Sequence, residues 1–136
     1  MTFSATDWVQ ALSPWPRDGF GLERIHALLS DLGDPQRRYP AVHVVGTNGK
    51  STTTRLTEAL LDDAGLAVGA YFSPHVRGWS ERIHVRGGEA DFEHAVGVVR
   101  AAAERVGATQ FEVVTAAAFA AFAEAEVDVA VVEAGL

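Results

Sequence analysis

Cysteine is absent from the 136 residues, which removes disulfide staples, thiolate zinc sites and a cysteine nucleophile together. Basic charge is scarce as well. Eleven Lys and Arg stand against 18 Asp and Glu, a formal charge of -7, so there is no broad phosphate-tracking surface of the kind that nucleic-acid binders use. Long hydrophobic runs are also missing. The longest, Val113 to Ala123 with Thr115 inside it, falls well short of the roughly 20 residues that cross a bilayer, and no basic segment leads into an apolar stretch at the start. These absences give the expectation of a cytoplasmic chain with neither nucleic-acid nor membrane partners. The five histidines, at 26, 43, 75, 84 and 94, show no metal-ligand spacing, which argues against a histidine-based zinc site.

What is present is a globular composition, 48% hydrophobic over 136 residues, enough for one core. The most informative stretch is Val42-His43-Val44-Val45-Gly46-Thr47-Asn48-Gly49-Lys50-Ser51-Thr52-Thr53. It reads as a short buried strand, a glycine loop and a lysine opening a helix in which Leu56, Leu60 and Leu61 recur until Gly65. Proteins hold nucleotide phosphates this way: the glycines let several N–H groups turn inward, and the helix adds its positive N-terminal end. Lys50 can reach the terminal phosphates, and Ser51 or Thr52 can face a magnesium ion. The loop has two residues between its glycines where the common P-loop has four, so Gly-Lys-Ser in a plain surface turn is the bland alternative.

Along the rest of the chain, Trp8, Leu12 and Trp15 suggest a short helix, and a second helix is expected from Leu22 to Leu32. A strand over Ala41 to Val45 feeds the glycine loop. Ala67 to Phe72 is apolar on both faces, as in a strand covered by helices on either side, and Arg82 to Val85 reads as a short exposed strand before a Gly87-Gly88 turn. Phe92, Val96, Val99 and Ala103 mark an amphipathic helix from Asp91 to just before Gly107. Phe111 to Ala125 reads as a more buried helix, preceded by Thr109 and Glu112 at capping-box spacing, and Val127 to Val132 is a second fully apolar strand. The alternation predicts a three-layer α/β domain with a parallel sheet. Ligands in such sheets lie beyond the carboxyl ends of the strands, which puts the glycine loop, Ser73 and Glu133 along one edge.

Glu133 ends an apolar strand, where nucleotide-binding proteins keep a magnesium-binding acid; position alone favours a solvated strand end, and the glycine loop at 46 to 51 reverses that weighting. Ser73-Pro74 could be a plain turn, His75 is read as a structural hydrogen-bonding residue rather than a catalyst, and Glu81 with Arg82 is read as either a solvated pair or a loop-ordering one.

Gly46-Thr47-Asn48-Gly49-Lys50 resembles the ATP loop of the Mur ligase superfamily. Phe72-Ser73-Pro74-His75 with Ser80-Glu81-Arg82-Ile83 is similar to signatures of its folylpolyglutamate synthase and dihydrofolate synthase branch. Phe20-Gly21-Leu22-Glu23-Arg24-Ile25, Thr109-Gln110-Phe111-Glu112 and the segment from Val127 to Leu136 follow the same order. Ser51 directly after the lysine, where this branch usually has glycine, looks more like a peptidoglycan-precursor ligase.

The resemblance implies the N-terminal portion, over 1–136, of a truncated ATPase domain of Mur-ligase type, with the rest of that domain and a C-terminal domain lying beyond Leu136. It implies an ATP- and Mg2+-dependent ligase that adds L-glutamate to a folate or dihydropteroate carboxylate through an acyl phosphate. ATP would be held by Gly46, Thr47, Asn48, Gly49, Lys50, Ser51 and Thr52, and the metal by Ser73, Glu133 and Thr52. Lys50 and Glu133 would serve the chemistry. Gly19, Phe20, Gly21, Thr109, Gln110, Phe111 and Glu112 would contact the pterin, although Phe111 as plain core packing fits as well. The chain is expected to be monomeric and inactive as a ligase by itself. A peptidoglycan Mur ligase and a P-loop module that makes no amide remain the alternatives.

Overall fold

In the computed structural model, which describes residues 2–15, 21–75 and 77–135, short polar signals start and stop the helices. Ser4 caps α1 (Ala5–Ala11) by accepting the Asp7 N–H, and α2 (Glu23–Asp31) follows after the first loop. Helix α3 (Lys50–Asp63) begins at Gly49, whose φ of 75° is the left-handed conformation that glycine adopts without penalty. Asp91 caps α4 (Phe92–Val106) through the His94 N–H, and left-handed Gly107 ends it. A reciprocal capping box of Thr109 and Glu112 opens α5 (Gln110–Glu124).

The strands are β1 (Ala41–Val44), β2 (Val68–Tyr71), β3 (Ile83–Val85), β4 (Gly88–Glu89) and β5 (Val129–Glu133). Their order in the sheet is β1-β5-β2-β3-β4. β5 lies between β1 and β2 and runs parallel to both. The sheet departs from the parallel expectation at β3 and β4, which pair antiparallel. Among the described residues the connection from β2 to β3 carries no α-helix, only the 3-10 turn Trp79–Arg82, and a parallel return needs a long crossover.

Both faces of the sheet are covered. Tyr71, Ile83 and Ala130 pack with α4 and α5, where Val96, Val99, Val113, Val114 and Phe122 are fully buried. Val44, Val68, Ala70, Phe72 and Val131 form a second, smaller cluster with Leu61 of α3. The three-layer arrangement therefore stands, with a mixed sheet in the middle.

Three local expectations need correction. β1 is not a buried strand: Ala41, Val42 and His43 are exposed, Val44 is buried, and Val45 is 66% exposed. The strand pairs with β5 on one side and stands at the sheet edge. Leu56 and Leu60 are 60% and 70% exposed, because the phase of α3 turns Thr54 and Leu61 inward instead. Ile83, expected in an exposed strand, is completely buried, since β3 is covered on the α5 side.

Close packing fixes one glycine on the opposite face. A Cβ at Gly69 would lie 2.4 Å from Cδ1 of the buried Phe122 ring, so Gly69→Ala is expected to cost about 1–3 kcal/mol through overpacking. Leu60→Lys on the exposed side of α3 should stay within about 0.5 kcal/mol. Urea unfolding of the two variants checks both, and equal midpoints would contradict this account of the two faces.

Candidate nucleotide and metal site

The parallel register brings three loops to one edge. Val44 lies opposite Glu133, and Tyr71 lies opposite Val132, so the chain leaves β1 into the glycine loop beside the end of β5 and leaves β2 into Ser73 on the other side. The backbone continues this contact: Ala134 N–H donates to the Val44 carbonyl at 2.8 Å. In the loop, Gly46 and Gly49 have φ of 143° and 75°, and a Cβ at either would meet open space. Their need for glycine is therefore conformational rather than steric, and it leaves a backbone cradle open to solvent ahead of the α3 N-terminus.

Glu133 is the centre of the site. Its residue is 3% exposed. Ser51 Oγ donates to its two carboxylate oxygens at 3.0 and 3.3 Å, and the Ser73 N–H donates to Oε2 at 3.2 Å. Among the described residues no cationic side chain pairs with it. Lys50, at the head of the neighbouring helix, donates from Nζ to the Ala134 carbonyl at 3.1 Å instead. A buried carboxylate surrounded by hydroxyl and amide groups, with no side-chain counter-charge, fits a hard divalent cation, which takes oxygen ligands. Glu133, Ser51 and Ser73 are the residues that could hold magnesium here. The hydroxyl at the carboxylate is that of Ser51 rather than of Thr52.

A second cluster sits at the head of α5. Glu112 Oε1 accepts from the Thr109 N–H at 2.9 Å, from Thr109 Oγ1 at 3.1 Å and from Arg24 Nε at 2.7 Å. This pair joins α2 to α5, with both side chains largely buried. Gln110 is tied to the end of α1: its N–H donates to the Ser13 carbonyl and its Nε2 to the Val9 carbonyl. Phe111 is 42% exposed, and a Cβ added at Gly135 would lie 2.7 Å from its ring and 3.5 Å from Ser73 Oγ. Phe111 therefore borders the Glu133 site instead of joining the core. Gly21 lies in the loop before α2, whereas Gly19 and Phe20 lie outside the described residues.

Sequence reasoning missed three participants. The Ala134 carbonyl carries no side-chain signal. Gly135 could have been suspected from its place just past a strand, and Arg24 from lying in the same segment as Gly21.

Comparison with known proteins places these loops in context. The chain is 40% identical to a dihydrofolate synthase/folylpolyglutamate synthase of Mycobacterium tuberculosis over 90% of its own length and 29% of that protein. It is 40% identical to a folylpolyglutamate synthase of Lacticaseibacillus casei over 83% of its length and 29% of that protein. This chain is a relative of the folylpolyglutamate and dihydrofolate synthases. It spans less than a third of the length of these curated relatives. Solved structures agree: the Lactobacillus casei folylpolyglutamate synthetase superposes with a TM-score of 0.86 at 35% identity, over 95% of this chain and 35% of that one. An Escherichia coli relative complexed with DHPP and ADP gives 0.86 at 33% identity, over 96% and 32%, and a folate and AMPPCP complex of a folylpolyglutamate synthase gives 0.86 at 35%. No family model matches the chain.

The Arg24 and Glu112 pair yields a stability prediction. Arg24→Ala leaves a largely buried carboxylate with the Thr109 groups alone, and loss of a hydrogen bond to a charged group is expected to cost about 1.5–3 kcal/mol. Removing Glu104, which accepts from Arg100 one turn away on the exposed face of α4, should cost about 0.3–0.5 kcal/mol. Denaturant unfolding of both variants at low salt tests the contrast, and comparable losses would show that the α2–α5 pair carries no special weight.

Proposed function

We propose that this chain forms the ATP and magnesium site of a ligase that joins L-glutamate to the carboxylate of a folate or dihydropteroate. The observation that carries the reading is the convergence of Lys50 and Ser51 at the head of α3, and of Ser73, on the end of the strand that bears buried Glu133. The names of the relatives and the ADP, AMPPCP, folate and DHPP bound in their structures support it. Residues 1–136 would be the N-terminal portion of a larger enzyme, acting as a cytoplasmic monomer without nucleic-acid or membrane partners. Among the described residues no helix is long and apolar enough to cross a membrane.

In this reading the N–H groups of Gly46 to Gly49 and the Lys50 ammonium bind the nucleotide phosphates. Lys50 leaves the Ala134 carbonyl to do so, exchanging a neutral acceptor for an anionic one. Ser51, Ser73 and Glu133 hold magnesium, with the geometry favouring Ser51 over Thr52 as the helix hydroxyl. The metal supplies neutralisation of charge on the phosphate oxygens, and the protein's share is alignment, since phosphoryl transfer asks for little covalent help. The substrate carboxylate oxygen attacks the γ-phosphorus and ADP leaves; the glutamate amine then attacks the acyl carbonyl and phosphate leaves. Phe111, half-exposed beside Gly135, offers a flat apolar face to the pterin, and Thr109, Gln110 and Glu112 fix its position; Gly19, Phe20 and Gly21 would be further pterin contacts.

Two measurements test the proposal. Calorimetric titration of the chain with a non-hydrolysable ATP analogue should show binding that magnesium strengthens, weakened roughly 10- to 100-fold in Lys50→Ala, the loss expected for a charged hydrogen bond. Phosphate release from Mg-ATP by the longer protein should require both a pterin carboxylate and glutamate, and the 136-residue chain alone should release none. Release driven by a peptidoglycan precursor, or without any acceptor, would overturn the folate assignment.

A further inference from the structure

Beyond Ser73, the described residues His75, Arg77 and Gly78 are held from the far side by Glu81 and Arg82. Glu81 Oε2 accepts the backbone N–H of Arg77 and that of Gly78, the latter at 2.9 Å. Arg82 Nε donates to His75 Nδ1 at 2.9 Å, and the Arg82 guanidinium lies 4.6 Å from the Trp79 ring centre. The His75 ring packs on the same indole at 4.5 Å. Trp79 is itself buried and stacked on Phe92 at the start of α4, with ring centres 6.2 Å apart and planes 15° apart. One residue before the loop, the Phe72 N–H donates to the Arg82 carbonyl at 2.8 Å.

Glu81 and Arg82 are therefore not a solvated pair. They point to different parts of one loop, and Arg82 holds both its entry, through a carbonyl, and its third residue, through a guanidinium. The hydrogen bond from Arg82 also fixes the imidazole as an acceptor at Nδ1, so the Nε2 atom carries the proton of the neutral ring. Ser73, between the anchored Phe72 and the anchored His75, has little freedom left. Its N–H sits on Glu133 Oε2 as a result.

We infer that Glu81 and Arg82 are positioning residues for Ser73, fixing its loop on the Trp79 platform so that the serine stands at Glu133 ready to share a divalent cation. The inference rests on the nucleotide and magnesium reading above. Groups behind metal ligands commonly change metal affinity by about 10- to 100-fold when they are removed, whereas a residue that merely stabilises the fold affects nucleotide binding with and without metal alike.

The test uses the full chain and reads the ratio of affinities for a non-hydrolysable ATP analogue measured with magnesium and with a chelator. In Glu81→Ala and Arg82→Gln this ratio should fall about tenfold or more while the metal-free affinity stays unchanged. Glu81→Gln keeps an acceptor oxygen for the two N–H groups and should restore most of the ratio. If Glu81→Ala does not fold, Arg82→Gln carries the comparison alone. A ratio equal to that of the unaltered chain overturns the positioning role, and so does an equal loss with and without metal. Absence of magnesium-dependent binding in the unaltered chain overturns the parent reading, and the inference with it.

Discussion

The buried carboxylate of Glu133 is the constraint around which the rest is arranged. It stands at the end of β5, the strand that both β1 and β2 pair with in parallel, and Ala130 and Val131 just before it are completely buried. A carboxylate in that position carries a heavy desolvation cost unless polar groups reach it. Ser51 comes from the head of α3 and Ser73 from the end of β2, so the two flanking loops are drawn to one point. A sheet with β5 at its edge could bring only one of them. The central position of β5 thus explains why the glycine loop and the Ser73 loop face each other at all.

The rules that were legible in the sequence are local ones. Asp91 and Gly107 delimit α4 and Thr109 with Glu112 opens α5 because a cap needs only residues three or four apart. The strand, glycine loop and helix from Val42 to Thr53 could be read for the same reason, and the edge shared by that loop, Ser73 and Glu133 followed from a general property of parallel sheets. Pairing between distant residues was not legible. Nothing in Val42 or Leu60 says that these two positions stay exposed, because periodicity marks an apolar face without saying what covers it. The reversal at β3 depended on whether the stretch after Ser73 formed a helix, and Trp79–Arg82 forms a single 3-10 turn. Arg24 and Glu112, 88 positions apart, were visible as parts of separate segments but not as partners.

Glu112 shows how a capping residue serves more than its helix. The same Oε1 that closes the capping box also receives Arg24, so the start of α5 cannot shift without disturbing α2. Gln110 adds a tie to the end of α1. Three helices therefore fix one turn of backbone, and Phe111 projects from that turn. Its backbone is thus fixed on both sides while the ring stays 42% exposed.

The distance between that ring and the carboxylate is spanned by very little chain. Gly135 lies two residues beyond Glu133, and its backbone comes so near Phe111 and Ser73 that a single added carbon would press on the ring. Ser73 and Phe111 therefore stand around the same glycine. Under the proposed reading, the phosphate end and the pterin end of the site share one wall. That arrangement suits a reaction in which the carboxylate of one substrate must meet the terminal phosphate of the other, because aligning two reactants is where such a site gains most of its rate. Glycine at 135 has a steric reason of its own: a side chain there would press on the Phe111 ring.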